Sequence, residues 1–155
     1  MKTRPVSLGA VLLAVFCLYN IAHATETLDI THPWVREAPP SARVLAAYMS
    51  IKNTGESSIT ITGMSSTEFE SAELHRTVIH DGVASMQHIK HLEVPANGSI
   101  KLEPGGLHLM LFNPHHALSA GDSVTLTIHL GNGTCMTVSA PVVRQILDDH
   151  SQHHH

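Results

Sequence analysis

Beyond residue 27 the chain alternates apolar and polar positions with a period of two, the pattern of strands with one buried face. Leu28 to Thr31 alternates and is followed by His32-Pro33, which breaks the run before Trp34 to Glu37. Val44 to Lys52, VLAAYMSIK, predicts a long strand that ends at the turn Asn53-Thr54-Gly55-Glu56. Ser58 to Met64 alternates cleanly. Ala72 to His80 and Val83 to Val94 flank Asp81-Gly82, a strong short hairpin signal. Ser99 to Leu102, Leu107 to Phe112, Ser123 to Leu130 and Thr134 to Val143 complete the set, with Pro104-Gly105-Gly106 and Gly131-Asn132-Gly133 as turns. No stretch carries a sustained 3.6-residue apolar period. Eight or nine short strands separated by turns predict an all-β sandwich or barrel with one core.

Upstream of the strands, Met1-Lys2-Thr3-Arg4 precedes an apolar run from Val6 to Leu18 and then Ala22-His23-Ala24. A basic start, a short apolar stretch and a small-x-small site describe a secretory signal peptide, with cleavage expected after Ala24. The run is too short for a membrane span. Phe16 before Cys17 argues against a lipid-attachment box. The organisation read from the sequence is a signal peptide at 1–24, one domain at 25–147 and a polar, His-rich tail at 148–155, expected to be disordered. The mature protein is expected to be exported, soluble and without a membrane span.

Removing residues 1–24 leaves 131 of 155 residues, with seven basic against thirteen acidic side chains, a net charge of −6. Such a chain has no electrostatic footprint for nucleic acid. Only Cys135 remains, so there is no intrachain disulfide framework. Thirteen of the fourteen histidines stay in the mature part.

Candidate chemistry lies in the spacing His75-x10-Met86-x21-His108-x-Met110. Imidazole and thioether together form a soft, uncharged donor set that suits Cu(I). If Asp81-Gly82 is a two-residue turn, Thr77 pairs with Met86. His75 and Met86 then share a face as diagonal neighbours. The same register sets His88 directly opposite His75, so spacing alone does not choose between Met86 and His88. His108 and Met110 share one face of their strand, while Leu107, Leu109 and Leu111 share the other, which should be the core. The competing reading treats the methionines as core filler and the histidines as surface residues.

At these positions the chain resembles the periplasmic copper chaperones of the PCu(A)C family. The likeness runs through Trp34-Val35-Arg36, Ala46-Ala47-Tyr48-Met49, Asn53-Thr54-Gly55, Glu73-Leu74-His75, Asp81-Gly82-Val83, Met86, Pro104 to Leu111 and Gly121-Asp122. It covers residues 28 to 143, and every ligand position and gap matches. The resemblance implies a cupredoxin-like Greek-key β-sandwich that binds Cu(I) through His75, Met86, His108 and Met110, deciding for Met86 over His88. It also implies delivery by ligand exchange, without catalysis. The implied partners are a thioredoxin-like Sco chaperone and the Cu(A) subunit of cytochrome c oxidase.

The remaining features are read more plainly. His150, His153, His154 and His155 are a secondary site for Cu(II), which prefers imidazole; an incidental polar tail is the alternative. Cys135 is expected to be a small buried strand residue and His115 and His116 solvated loop residues. Trp34 is expected to be buried, and Asp29, Glu68, Glu70 and Glu73 to form a solvated acidic surface. The alternative functions are a zinc or copper enzyme using the histidines, and a structural sandwich with incidental His and Met. No nucleophile elbow, P-loop or His-Glu-x-x-His motif is present.

Overall fold

The computed structural model describes residues 28–144; the expected signal peptide and the His-rich tail lie outside the described residues. Ten strands and no helix are found among them: β1 (Leu28–Arg36), β2 (Val44–Asn53), β3 (Ile59–Ser66), β4 (Phe69–His80), β5 (Val83–His88), β6 (Leu92–Val94), β7 (Ser99–Leu102), β8 (Leu107–Pro114), β9 (Ser123–Leu130) and β10 (Cys135–Val143). Their hydrogen-bonded order is β5-β4-β8-β7-β2-β1-β10-β9-β3-β6, with β2 also pairing β8. A short parallel pairing, Val35 with Val142 and Arg36 with Val143, joins the half built on β2 and β8 to the half built on β9 and β10.

Alternation explains how the halves share one core. Val35, Ile51, Leu109 and Leu111 from one half and Ile61, Leu126 and Ile128 from the other are fully buried in a single cluster. Each such side chain contributes roughly 1.5–3 kcal/mol relative to exposure. The fold is an all-β, cupredoxin-like sandwich, in agreement with the strand pattern and the resemblance.

Two departures from the expected strands carry structural meaning. β1 runs through His32-Pro33 instead of stopping there, but its pairing with β2 shifts between Thr31 and Trp34, and His32 adopts φ 52°. The irregularity absorbs a proline that has no N–H to give the ladder. The expected strand from Val83 to Val94 is split in two. Its first part, β5, forms one edge of the sheet order, and its second, β6, pairs with β3 at the opposite edge.

A buried polar anchor closes the far end of β2. Asn53 is fully buried, and its Nδ2 donates to the carbonyls of Ser57 (2.7 Å) and Val94 (3.1 Å), while its Oδ1 accepts from the Gly55 N–H (2.9 Å). The turn is thereby tied to β6.

Candidate metal centre

Three adjacent strands carry the candidate ligands. β4 lies between β5 and β8, so His75 is opposite both His88 and His108. Glu73 is opposite Met110, and Thr77 is opposite Met86. These residues are spaced by two along their strands and occupy one face. The hairpin has the expected two-residue turn, with the positive φ of a type I′ turn at Asp81 (50°) and Gly82 (78°). Leu109 and Leu111 occupy the opposite, core-facing side of β8, as their alternation with His108 and Met110 requires.

The imidazoles are fixed by their hydrogen bonds. His108 is 6% exposed, and its Nδ1 lies 3.0 Å from the carbonyl oxygen of Gly106. A carbonyl only accepts, so Nδ1 carries the proton and Nε2 presents a lone pair. His75 Nε2 lies 3.0 Å from the carboxylate of Glu73, which leaves the lone pair on Nδ1. His75 Nδ1 and His108 Nε2 are both buried and have no hydrogen-bond partner. An unsatisfied buried acceptor costs about 1–3 kcal/mol. Two of them on neighbouring strands are what an ion would satisfy.

Geometry agrees. The ring centres of His75 and His108 are 6.2 Å apart. With a metal–nitrogen bond of about 2.0 Å, a ring centre sits about 3.2 Å from its ion, so one ion can span both rings. Among the described residues no three His, Cys, Asp or Glu side chains are grouped to hold a metal. An ion held there would find thioether donors nearby, in Met86 and Met110. Met86, His108 and Met110 line one groove of about 360 Å³ together with Thr77, Tyr48 and Arg36. Met110 is half-buried, whereas Met86 on the edge strand is 61% exposed.

Glu73 has a 42% exposed side chain, in keeping with the expected solvated surface, but it also has a part in the site that the sequence expectation does not give it. The structure places it in contact with His75. The signal is present in the sequence: position 73 shares the face of position 75. Carboxylate–histidine pairs of this kind fix the tautomer and raise the basicity of a metal-bound ring. Glu68 and Glu70 are also engaged, with Ser66 (2.6 Å) and Asn113 (2.7 Å) respectively. Burial pushes the Glu68 carboxyl up, but donors including the Ser66 hydroxyl and the Thr125 N–H outweigh it and hold it below the usual range.

Two other expected placements need correction, those of Cys135 and Trp34. Cys135 is exposed, opposite His129 on the outward side of β9–β10. Trp34 is half-buried and pairs with Tyr48, ring centres 4.5 Å apart, while the Arg36 guanidinium lies 5.6 Å from the centre of the Tyr48 ring. The loop histidines His115 and His116 are exposed, as expected, and His115 Nδ1 bonds the Thr67 carbonyl at 3.1 Å. His150, His153, His154 and His155 lie outside the described residues.

Comparison with known proteins bears on both fold and family. The family described as "Putative lipoprotein LpqE-like" matches residues 28–142. "Putative lipoprotein Lxx21020" of Leifsonia xyli subsp. xyli is 29% identical over 148 residues, covering 90% of this chain and 88% of its own. The solution structure of CuI-DR1885 from Deinococcus radiodurans is 30% identical, with a TM-score of 0.60, over 81% of this chain and 85% of that one. The copper-bound PCuAC domain from PmoF2 superposes with a TM-score of 0.64 at 20% identity, over 76% of this chain and 93% of that domain. The chain thus belongs to the LpqE-like family, a PCuAC family, and has the PCuAC fold.

Proposed function

We propose that this protein is an exported copper metallochaperone that holds one Cu(I) through His75, Met86, His108 and Met110 and passes it on by ligand exchange. The carrying observation is the pair of buried, unpartnered imidazole lone pairs, one on β4 and one on β8, the second belonging to His108, which lines a groove with Met86 and Met110. Two imidazoles and two thioethers are neutral and soft, a donor set that favours Cu(I) over harder ions. A copper-loaded relative at 30% identity supports copper as the cargo.

The ligands differ in how firmly they are held. His108 and Met110 sit on β8 between two partner strands, His75 is oriented by Glu73, and Met86 stands exposed on an edge strand. An incoming donor can approach from the Met86 side before the imidazoles release the ion. Hydrolytic zinc chemistry fits less well, because it wants three N or O ligands and an open position for water. With export and cleavage after Ala24, this activity belongs to the periplasm. The implied recipients are a Sco-type chaperone and the Cu(A) centre of cytochrome c oxidase. The family description speaks of a lipoprotein, but Phe16 beside Cys17 favours a free mature chain.

Titration of the mature protein with Cu(I) in competition with a chromophoric chelator is expected to give one tight equivalent. X-ray absorption should show both nitrogen and sulfur scattering. A variant carrying M86A and M110A that bound Cu(I) as tightly as the parent would refute the ligand set.

A further inference from the structure

His88 has no part in the ligand set above, yet its ring centre is 5.5 Å from that of His75, closer than the 6.2 Å separating His75 from His108. The two residues are directly opposed across β4 and β5. The Ile89 N–H donates to the Leu74 carbonyl at 2.8 Å. That bond marks His75 and His88 as a non-hydrogen-bonded pair, the kind whose side chains stand closest. The separation lies within the roughly 6.4 Å that two metal-bound imidazoles can span.

Met86 and His88 are two residues apart on β5 and present their side chains to the same face. Every residue of β5 is exposed, and the strand forms an edge of the sheet order. Exchanging one of these donors for the other therefore disturbs no core packing. Their chemistries differ in a directed way: thioether is the softer donor and suits Cu(I), whereas imidazole accepts Cu(II).

We propose that His75 and His88 form a Cu(II) site overlapping the Cu(I) site, in which His88 takes the place of Met86. This inference rests on His75 being a copper ligand, as in the function proposed above. His75 uses Nδ1 in both states, because Glu73 holds the proton on Nε2. The exposed side of His88 leaves positions for water, which completes the tetragonal N and O coordination Cu(II) prefers. Copper binds in whichever oxidation state it arrives, and no electron transfer is part of the proposal.

The test uses the mature chain with His150, His153, His154 and His155 changed to Ala, so that any Cu(II) bound belongs to the domain. In that background H88A is expected to lower Cu(II) affinity by more than about tenfold, the lower bound for losing even a ligand's supporting partner. It should also simplify the nitrogen hyperfine structure of the Cu(II) paramagnetic resonance spectrum, from two coupled nitrogens to one, and leave Cu(I) affinity unchanged. M86A should do the reverse, weakening Cu(I) and sparing Cu(II). Unchanged Cu(II) affinity and spectrum in H88A overturn the proposal. Equal losses of Cu(I) and Cu(II) in H88A overturn it too, because His88 would then be a ligand without preference. Cu(I) affinity unchanged in M86A instead removes Met86 from the Cu(I) set, a failure of the chaperone ligand assignment that is visible apart from the H88A result.

Discussion

Asn53 offers a sharp test of how the two halves of the sandwich are held together. It is fully buried and makes three hydrogen bonds, to the carbonyls of Ser57 and Val94 and from the Gly55 N–H. Asn53→Ala strands the buried Val94 carbonyl, at about 1–3 kcal/mol, and loses two partly buried bonds at roughly 0.5–1.5 kcal/mol each. About 3 kcal/mol is therefore expected, which for a domain of this size lowers Tm by about 10 °C. Urea denaturation should show a lower midpoint with an unchanged slope. Asn53→Asp separates hydrogen bonding from space filling. It replaces a donor by a carboxylate facing two carbonyl oxygens, so the folded state resists ionisation. The folded pKa of the new Asp is thereby raised above its unfolded value of about 3.9. Sound at low pH, the variant should lose stability progressively as pH rises through and beyond that value. Cu(I) affinity should not change in either variant, because Asn53 lies seven residues along β2 from Ala46, about 23 Å away. A loss below about 1 kcal/mol in N53A, or an N53D variant whose deficit does not grow with pH, would refute the reasoning.

Three further outcomes follow from the structure. Glu37 is held below the ordinary carboxyl value of 4.5, first by the Arg144 hydrogen bond and then by the Ala120 N–H. Its contribution is present above about pH 4.5 and lost as pH falls through the lower folded pKa. The stability gap between wild type and E37Q, measured by urea melts, should therefore be largest near neutrality and close on acidification; a gap constant with pH would contradict this. Gly82 has φ 78°, and a methyl group added to its Cα would meet no atom within 4 Å, so G82A should cost only the backbone penalty, about 1–2 kcal/mol. It should also loosen the hairpin and speed Cu(I) release in stopped-flow transfer to a chelator. E73A should weaken Cu(I) binding about 10–100-fold, with E73Q between it and wild type because the amide oxygen still accepts from His75; equal affinities in a competition assay would remove Glu73 from the site.

Local features are legible in the sequence because they depend on parity and turn chemistry alone. Asp81-Gly82 sets the hairpin register, which places His88 opposite His75 and Met86 opposite Thr77, and the structure has that register. The alternation of His108 and Met110 with three leucines separates the ligand face of β8 from its core face. The juxtaposition of His75 with His108 is not legible from parity and turns, and follows from the sequence only through the family resemblance. It depends on β4 and β8 becoming neighbours across more than thirty intervening residues, and no local pattern encodes that pairing. The exposure of Cys135 runs against the expectation of a buried residue, although a signal exists: Val124, Leu126 and Ile128 point inward, so His129 and the residue paired with it point out. The split between β5 and β6 is hidden because Ile89-Lys90-His91 carries no Gly or Pro to mark a break.

The regular ladder between β4 and β5 has a consequence for how the protein exchanges amide hydrogens with solvent. In this register the N–H groups of Ser85 and Gln87 point toward β4, while those of Ala84, Met86 and His88 point away from the sheet. Protection along β5 should therefore alternate residue by residue, and the Met86 amide should exchange on the timescale of an open loop. By contrast, Leu109 and Met110 lie on β8 with strands on both sides and should exchange only when the domain opens more widely. One proposed ligand of the copper thus belongs to the most labile layer of the sheet and another to one of its most persistent.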